Sequence, residues 1–156
     1  MIPGGERIVP FNRRGEEPQL SVVSSEKELL NAVEQDIRKL HSEGYHYVAV
    51  ICKTAEESAR VHAELNRSLP VRLVTKETPN FQKGTLVLPA YLAKGVEFDA
   101  VVIYDGSAEQ YGRESERKLF YTACTRAMHL LHIFSLGEPS HFIPSANVAS
   151  LSAGSL

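Results

Sequence analysis

Apolar positions recur along this chain with two periods. Leu29, Leu30, Val33, Ile37 and Leu40 are spaced by three or four residues, the stripe of a helix that buries one face. Ser25-x-x-Glu28 just ahead has the spacing of a capping box, and Gly44 stands where a C-cap glycine would. Thr54-x-x-Glu57 opens a second helix, with Val61, His62, Leu65 and Leu69 on one face and Pro70 to stop it. A third helix spans 116–127 and buries Leu119, Phe120, Ala123 and Cys124. Residues 47–52 and 100–104 are unbroken apolar runs, as in strands covered on both faces. Residues 20–23, 71–74, 84–88 and 128–134 read as further strands, and 105–112 as a polar loop. Buried strands alternating with amphipathic helices predict a doubly wound α/β sheet, mostly parallel, with helices on both faces and right-handed crossovers. Residues 1–18 are expected to be an extended lead-in, 19–137 the domain, and 138–156, rich in Ser, Ala, Gly and Pro, a loose tail.

Composition narrows the class. A chain of 156 residues, 43% hydrophobic and 23% charged, is long enough for one domain with a real core. The formal net charge of −2 speaks against coating nucleic acid through bulk positive charge, though it leaves room for a local basic groove. No apolar run approaches the roughly 20 residues of a membrane span, and the N-terminus has no apolar export segment. Cys52 and Cys124 both sit inside hydrophobic segments, so the expected setting is a reducing, cytoplasmic one.

Several chemistries lack their residues. Neither G-x-x-x-x-G-K-[ST] nor G-x-G-x-x-G occurs, so the chain has no nucleotide cradle of its own. His62-Ala63-Glu64 imitates half of a zinc deaminase signature, but no P-C-x-x-C follows; no metal site is expected. His62 lies in the helical stripe and reads as packed, and His129 and His132 as structural or surface residues. Serine nucleophile chemistry would call for a G-x-S-x-G elbow, which is absent.

Two segments remain: 92–99, Leu-Ala-Lys-Gly-Val-Glu-Phe-Asp, and 116–127, Glu-Arg-Lys-Leu-Phe-Tyr-Thr-Ala-Cys-Thr-Arg-Ala, each just ahead of a strand. The first resembles motif V (A-K-G-L-E-F) of UvrD/Rep-type superfamily 1 DNA helicases. The second resembles their motif VI (E-R-R-L-x-Y-V-A-x-T-R-A). Val48-Ala49-Val50-Ile51-Cys52-Lys53-Thr54 resembles the strand and turn that open the second motor domain of the same helicases. All three stand in family order, and with the scaffold they cover about residues 46–136.

The resemblance implies a second, C-terminal RecA-like domain of the P-loop NTPase type, without a Walker A loop. It implies an ATP-dependent DNA helicase or translocase as the parent, with the isolated chain inactive. Arg126 matches the arginine that reaches across the cleft to the ATP γ-phosphate. Lys94, Gly95 and Glu97 match positions lining that cleft, Glu97 as acceptor for the nucleotide sugar. Lys53, Thr54 and Tyr91 match positions facing single-stranded DNA. ATP with Mg2+ would be held mainly by the N-terminal RecA-like domain of the same parent, and 3′→5′ travel is the family expectation.

Departures qualify this. Pro89 and Tyr91 stand where these helicases usually have Thr and His, and Ala55 where Asn usually follows the Thr54 position. The short span between Thr54 and the motif V segment resembles the helicase IV/HelD branch, some members of which work on RNA polymerase. That adds a polymerase to the expected partners, single-stranded DNA and the first motor domain. Two other readings compete: a decayed, helicase-like scaffold, and an unrelated α/β domain such as a flavodoxin-like receiver. Retention of Arg126 and Glu97 speaks against the scaffold. A receiver would need clustered acids at the early strand ends, which instead carry Val23-Ser24 and Cys52-Lys53.

Overall fold

Two strands, β2 (Val48–Cys52) and β5 (Phe98–Ile103), are built almost wholly from apolar residues and are buried on both faces. Around them the structure, a computed structural model, describes residues 17–78 and 81–143. The chain order is β1 (Gln19–Val23), α1 (Glu26–Ser42), β2, α2 (Ala55–Leu65), β3 (Arg72–Leu73), β4 (Thr85–Pro89), a 3-10 turn (Ala90–Leu92), β5, a second 3-10 turn (Glu114–Glu116), α3 (Arg117–Cys124) and β6 (Ala127–Leu136). The sheet has six strands in the order β1-β6-β5-β2-β4-β3, every pair parallel.

Side chains alternate across this sheet, so each strand feeds two cores. Val48, Val50 and Cys52 pack under α1 and α2, against Leu29, Val33, Ile37, Leu40, Val61 and Leu65. Ala49 and Ile51 face the other way, against Phe120, Ala123 and Cys124 of α3 and Ala90 and Ala93 of the first 3-10 segment. Each such large apolar side chain contributes roughly 1.5–3 kcal/mol by leaving water. The chain leaves β2 for β3 over one face and β5 for β6 over the other. The winding therefore reverses between the neighbours β2 and β5.

Both expected caps form, each offset by one residue from the ideal box. Ser25 Oγ accepts from Glu28 N at 3.1 Å, while Glu28 reaches back to Ser24 N at 2.8 Å. Thr54 Oγ1 accepts from Glu57 N at 3.1 Å, while Glu57 reaches back to Lys53 N at 2.9 Å. Gly44, at φ +96°, follows the α1 C-cap Glu43 and donates its N–H to His41 O.

Two expectations are corrected, and the 105–112 loop, found as a loop, proves more buried than its polar residues suggest. Helix α2 ends at Leu65 rather than running to Pro70. Asn66 caps it, and Leu69 is buried from a turn outside the helix, because the residue before a proline disfavours helical backbone. The 105–112 loop is largely buried: Asp105, Ser107 and Tyr111 lie inside. Of the expected loose tail, residues 138–143 pack onto the domain, with Ser140, Phe142 and Ile143 buried. The lead-in through residue 16 and residues 144–156 lie outside the described residues. Among the described residues no helix is long and apolar enough to cross a membrane.

Candidate functional site

The sequence-predicted site residues fall at opposite ends of the sheet. Lys53, Thr54 and Tyr91 follow the carboxyl ends of β2 and β4. Tyr91, in the 3-10 turn, is 53% exposed and is one of the described large hydrophobic residues that face solvent. Thr54 is the N-cap of α2. Lys53 is engaged: its Nζ lies 2.5 Å from Glu116 Oε2 and 5.8 Å from the centre of the Tyr111 ring.

These carboxyl ends include the β2–β5 reversal, where a doubly wound sheet usually takes its ligand. Here the chain's own polar groups fill it. Glu57, 8% exposed, accepts from Lys53 N through Oε1 and from Gln110 Nε2 through Oε2 at 2.7 Å. Asp105 accepts from Leu136 N at 3.0 Å and Ser107 N at 3.2 Å. Burial pushes both carboxyls above their ordinary range, against the pull of these hydrogen bonds. Burial also pushes Glu116 up, but the Lys53 ammonium and the N–H groups of Arg113 and Gly112 outweigh it and hold the carboxyl low. Gly112 is required here by close approach: a Cβ would stand 2.4 Å from Ala108 O.

Lys94, Gly95, Glu97 and Arg126 cluster at the other end, ahead of β5 and β6. Val96 N donates to Ala93 O at 3.1 Å, and Gly95 takes φ +83° at the third position, as a type II turn demands. The turn leaves Lys94 and Gly95 exposed. Parallel pairing puts Phe98 opposite Ala127, and Phe98 N donates to Arg126 O at 2.9 Å. Glu97 and Arg126 are thus neighbours across two strand entries. Arg126 lies against the end of α3, its Nε donating to Thr122 O at 3.0 Å and one Nη to Thr125 Oγ1 at 3.3 Å. A cation is favoured there by the helix dipole.

Helix α3 joins the two ends. Glu116, at its start, holds Lys53 at the carboxyl edge, and Arg126, just past its end, stands at the amino edge.

Sequence reasoning passed over Glu57, Gln110 and Glu116 as site-forming groups. The only signal was the doubling of Glu57 as capping-box residue. It also missed a cross-element network in which His132 Nε2 is 2.8 Å from Ser21 Oγ and Nδ1 is 3.1 Å from Asp36 Oδ1. The order Ser–His–Asp is that of a proton relay. Yet Ser21 lies inside β1, paired in register with Phe134, and not on the sharp turn that exposes a nucleophile. The Ser21–His132 contact ties β1 to β6, while the Asp36 carboxylate of α1 lies beside the ring without a hydrogen bond to Nδ1. His62 is a packed residue whose Nε2 is 3.1 Å from Val71 O. Among the described residues no three His, Cys, Asp or Glu are grouped to hold a metal.

A family model described as the UvrD-like helicase C-terminal domain matches residues 85–134. The crystal structure of the C-terminal domain of a possible DNA helicase from Lactobacillus plantarum WCFS1 is 33% identical, with a TM-score of 0.79 over 94% of this chain and 89% of that one. A Dbp5 variant of S. cerevisiae bound to RNA and ADP BeF3 has a TM-score of 0.65 at 14% identity, over 97% of this chain and 42% of that one. The C-terminal domain of the DEAD-box protein Dbp5 has a TM-score of 0.56 at 11% identity, over 88% of this chain and 84% of that one. At these lower identities the likeness is one of fold, that of a RecA-like helicase domain. No curated protein matches the sequence.

Proposed function

This chain belongs to the UvrD-like helicase C-terminal domains, and from that premise we propose that it is the half of an ATP-driven DNA motor that answers the nucleotide without holding it. The observation that carries the reading is the pairing of β5 with β6, which sets Glu97 and Arg126 side by side on an edge that has no phosphate loop. A partner domain with its own cradle would present ATP with Mg2+ to that edge. The residues fit the part: a guanidinium for phosphate oxygens, a carboxylate for sugar hydroxyls, and an exposed glycine turn at Lys94-Gly95 that lets another surface come close. Bound Mg2+ would neutralise phosphate charge. Arg126 would leave its two helix-end acceptors and orient on the γ-phosphate, a small loss since each such bond is worth about 1 kcal/mol net.

Single-stranded DNA would run along the opposite edge. Tyr91 offers a face for base stacking and the start of α2 at Thr54 offers backbone N–H groups. Lys53, already paired with Glu116, serves the shape of that edge more than the strand's charge. The compact segment between Thr54 and the Lys94-Gly95 turn supports assignment to the helicase IV/HelD branch.

The test is DNA-stimulated ATP hydrolysis by the complete helicase carrying Arg126→Ala. The expected loss in kcat is on the order of 10³ or more, with the thermal midpoint little changed. A variant that keeps most of its activity would remove Arg126 from the nucleotide. A parent silent even with Arg126 intact would instead favour the scaffold reading.

A further inference from the structure

On the amino side of the sheet, away from Glu97 and Arg126, the ends of α1, α2 and β4 leave a cavity of about 520 Å³. Its polar lining is His41 from the last turn of α1, His46 before β2, Asn66 at the α2 C-cap, Arg72 of β3, and Lys83 and Thr85 at the entry to β4. The volume lies within the range of small-ligand sites.

Charge is one-sided here. Among the described residues that line the cavity none is acidic, while Arg72 and Lys83 are cations. The His41 and His46 rings stack at 5.8 Å, and His41 Nε2 lies 2.7 Å from Thr85 Oγ1. Burial, and then the positive field of His46 and Arg38, pushes the His41 imidazole below its ordinary range. The cavity is short of negative charge. The Lys83 Nζ stands 4.3 Å from the centre of the Tyr47 ring.

We propose that this cavity binds a phosphate ester, carried by a nucleic-acid strand or by a free nucleotide, with Arg72 and Lys83 taking its charge and His41 and His46 its oxygens. The cationic groups come from different elements, so the fold and not one surface helix brings them together. The site shares no residue with the proposed ATP edge or DNA track, and its test does not depend on either.

The experiment follows the imidazole proton signals of the whole chain by NMR during titration, in separate samples, with inorganic phosphate, adenosine monophosphate and an unphosphorylated thymidine oligonucleotide. His41 and His46 are expected to shift together with at least one probe. The Arg72→Ala/Lys83→Ala variant should weaken that binding about tenfold or more, the worth of one charge-assisted hydrogen bond. Both positions are exposed, and an unchanged thermal midpoint would show the fold intact. His46→Gln, also exposed, provides a second variant with the same expected direction. Shifts with the oligonucleotide alone assign the ester to a strand, and shifts with the mononucleotide alone to a free nucleotide. Rings that respond to none of the probes, or binding equal in the double variant, would overturn the site.

Discussion

Glu57 combines demands that seldom fall on one residue. It caps the approach to α2, holds Gln110, and is 8% exposed in the crevice where the sheet reverses. Burial raises its carboxyl above the ordinary 4.5, so the folded chain keeps the Glu57 proton to higher pH than the unfolded chain does. Stability from this group is therefore fully present below pH 4.5 and falls as pH rises through the folded value. Urea midpoints of wild type and Glu57→Gln, compared from pH 4.5 to 7, should show wild type losing ground as pH rises. A difference that does not vary with pH would mean the carboxyl is not pushed up. Gly112 is constrained by space and not by φ. Gly112→Ala drives a methyl into Ala108 O and should cost about 1–3 kcal/mol in denaturant unfolding.

Among the elements, α3 has the fewest residues for what it holds. Phe120 packs between Tyr111 at 5.0 Å and Phe142 at 6.1 Å, joining the helix to the buried loop and to the chain beyond β6. Phe120→Ala should lower stability by about 3–5 kcal/mol, read from the denaturant midpoint. Elements whose signal is local were legible in the sequence: α1 from its stripe and cap, β2 and β5 from their unbroken apolar runs. The burial of the 105–112 loop was not, because Asp105 accepts from Leu136, 31 residues along the chain, and Tyr111 O accepts from Ser140, 29 residues along. The end of α2 was misread for a related reason. Leu69 keeps helical spacing, but reaches the core from a turn. For the proposed nucleotide edge, the sequence pointed to Arg126 and Glu97 but could not show their adjacency, which depends on which strand lies beside β5. Nor could it show that Lys53 would be taken up by Glu116, a residue 63 positions away.

For the whole molecule, the proposed division of labour makes hydrolysis a property of two bodies. Mixing this chain with a separately prepared first motor domain and single-stranded DNA should restore ATP turnover that neither part has alone. The same mixture with Arg126→Ala should stay silent, and turnover undiminished by that variant would contradict the division. The two edges of the sheet are joined by one short helix. The segment from Arg117 to Cys124 contains neither glycine nor proline and spans 8 residues, about 12 Å of helix. Such a piece is too short to bend and has no joint at which to hinge. Under the proposed motor reading, a load on Glu116 at one rim would bear directly on the helix whose following turn carries Arg126, so the helix would act as a short strut between the two rims.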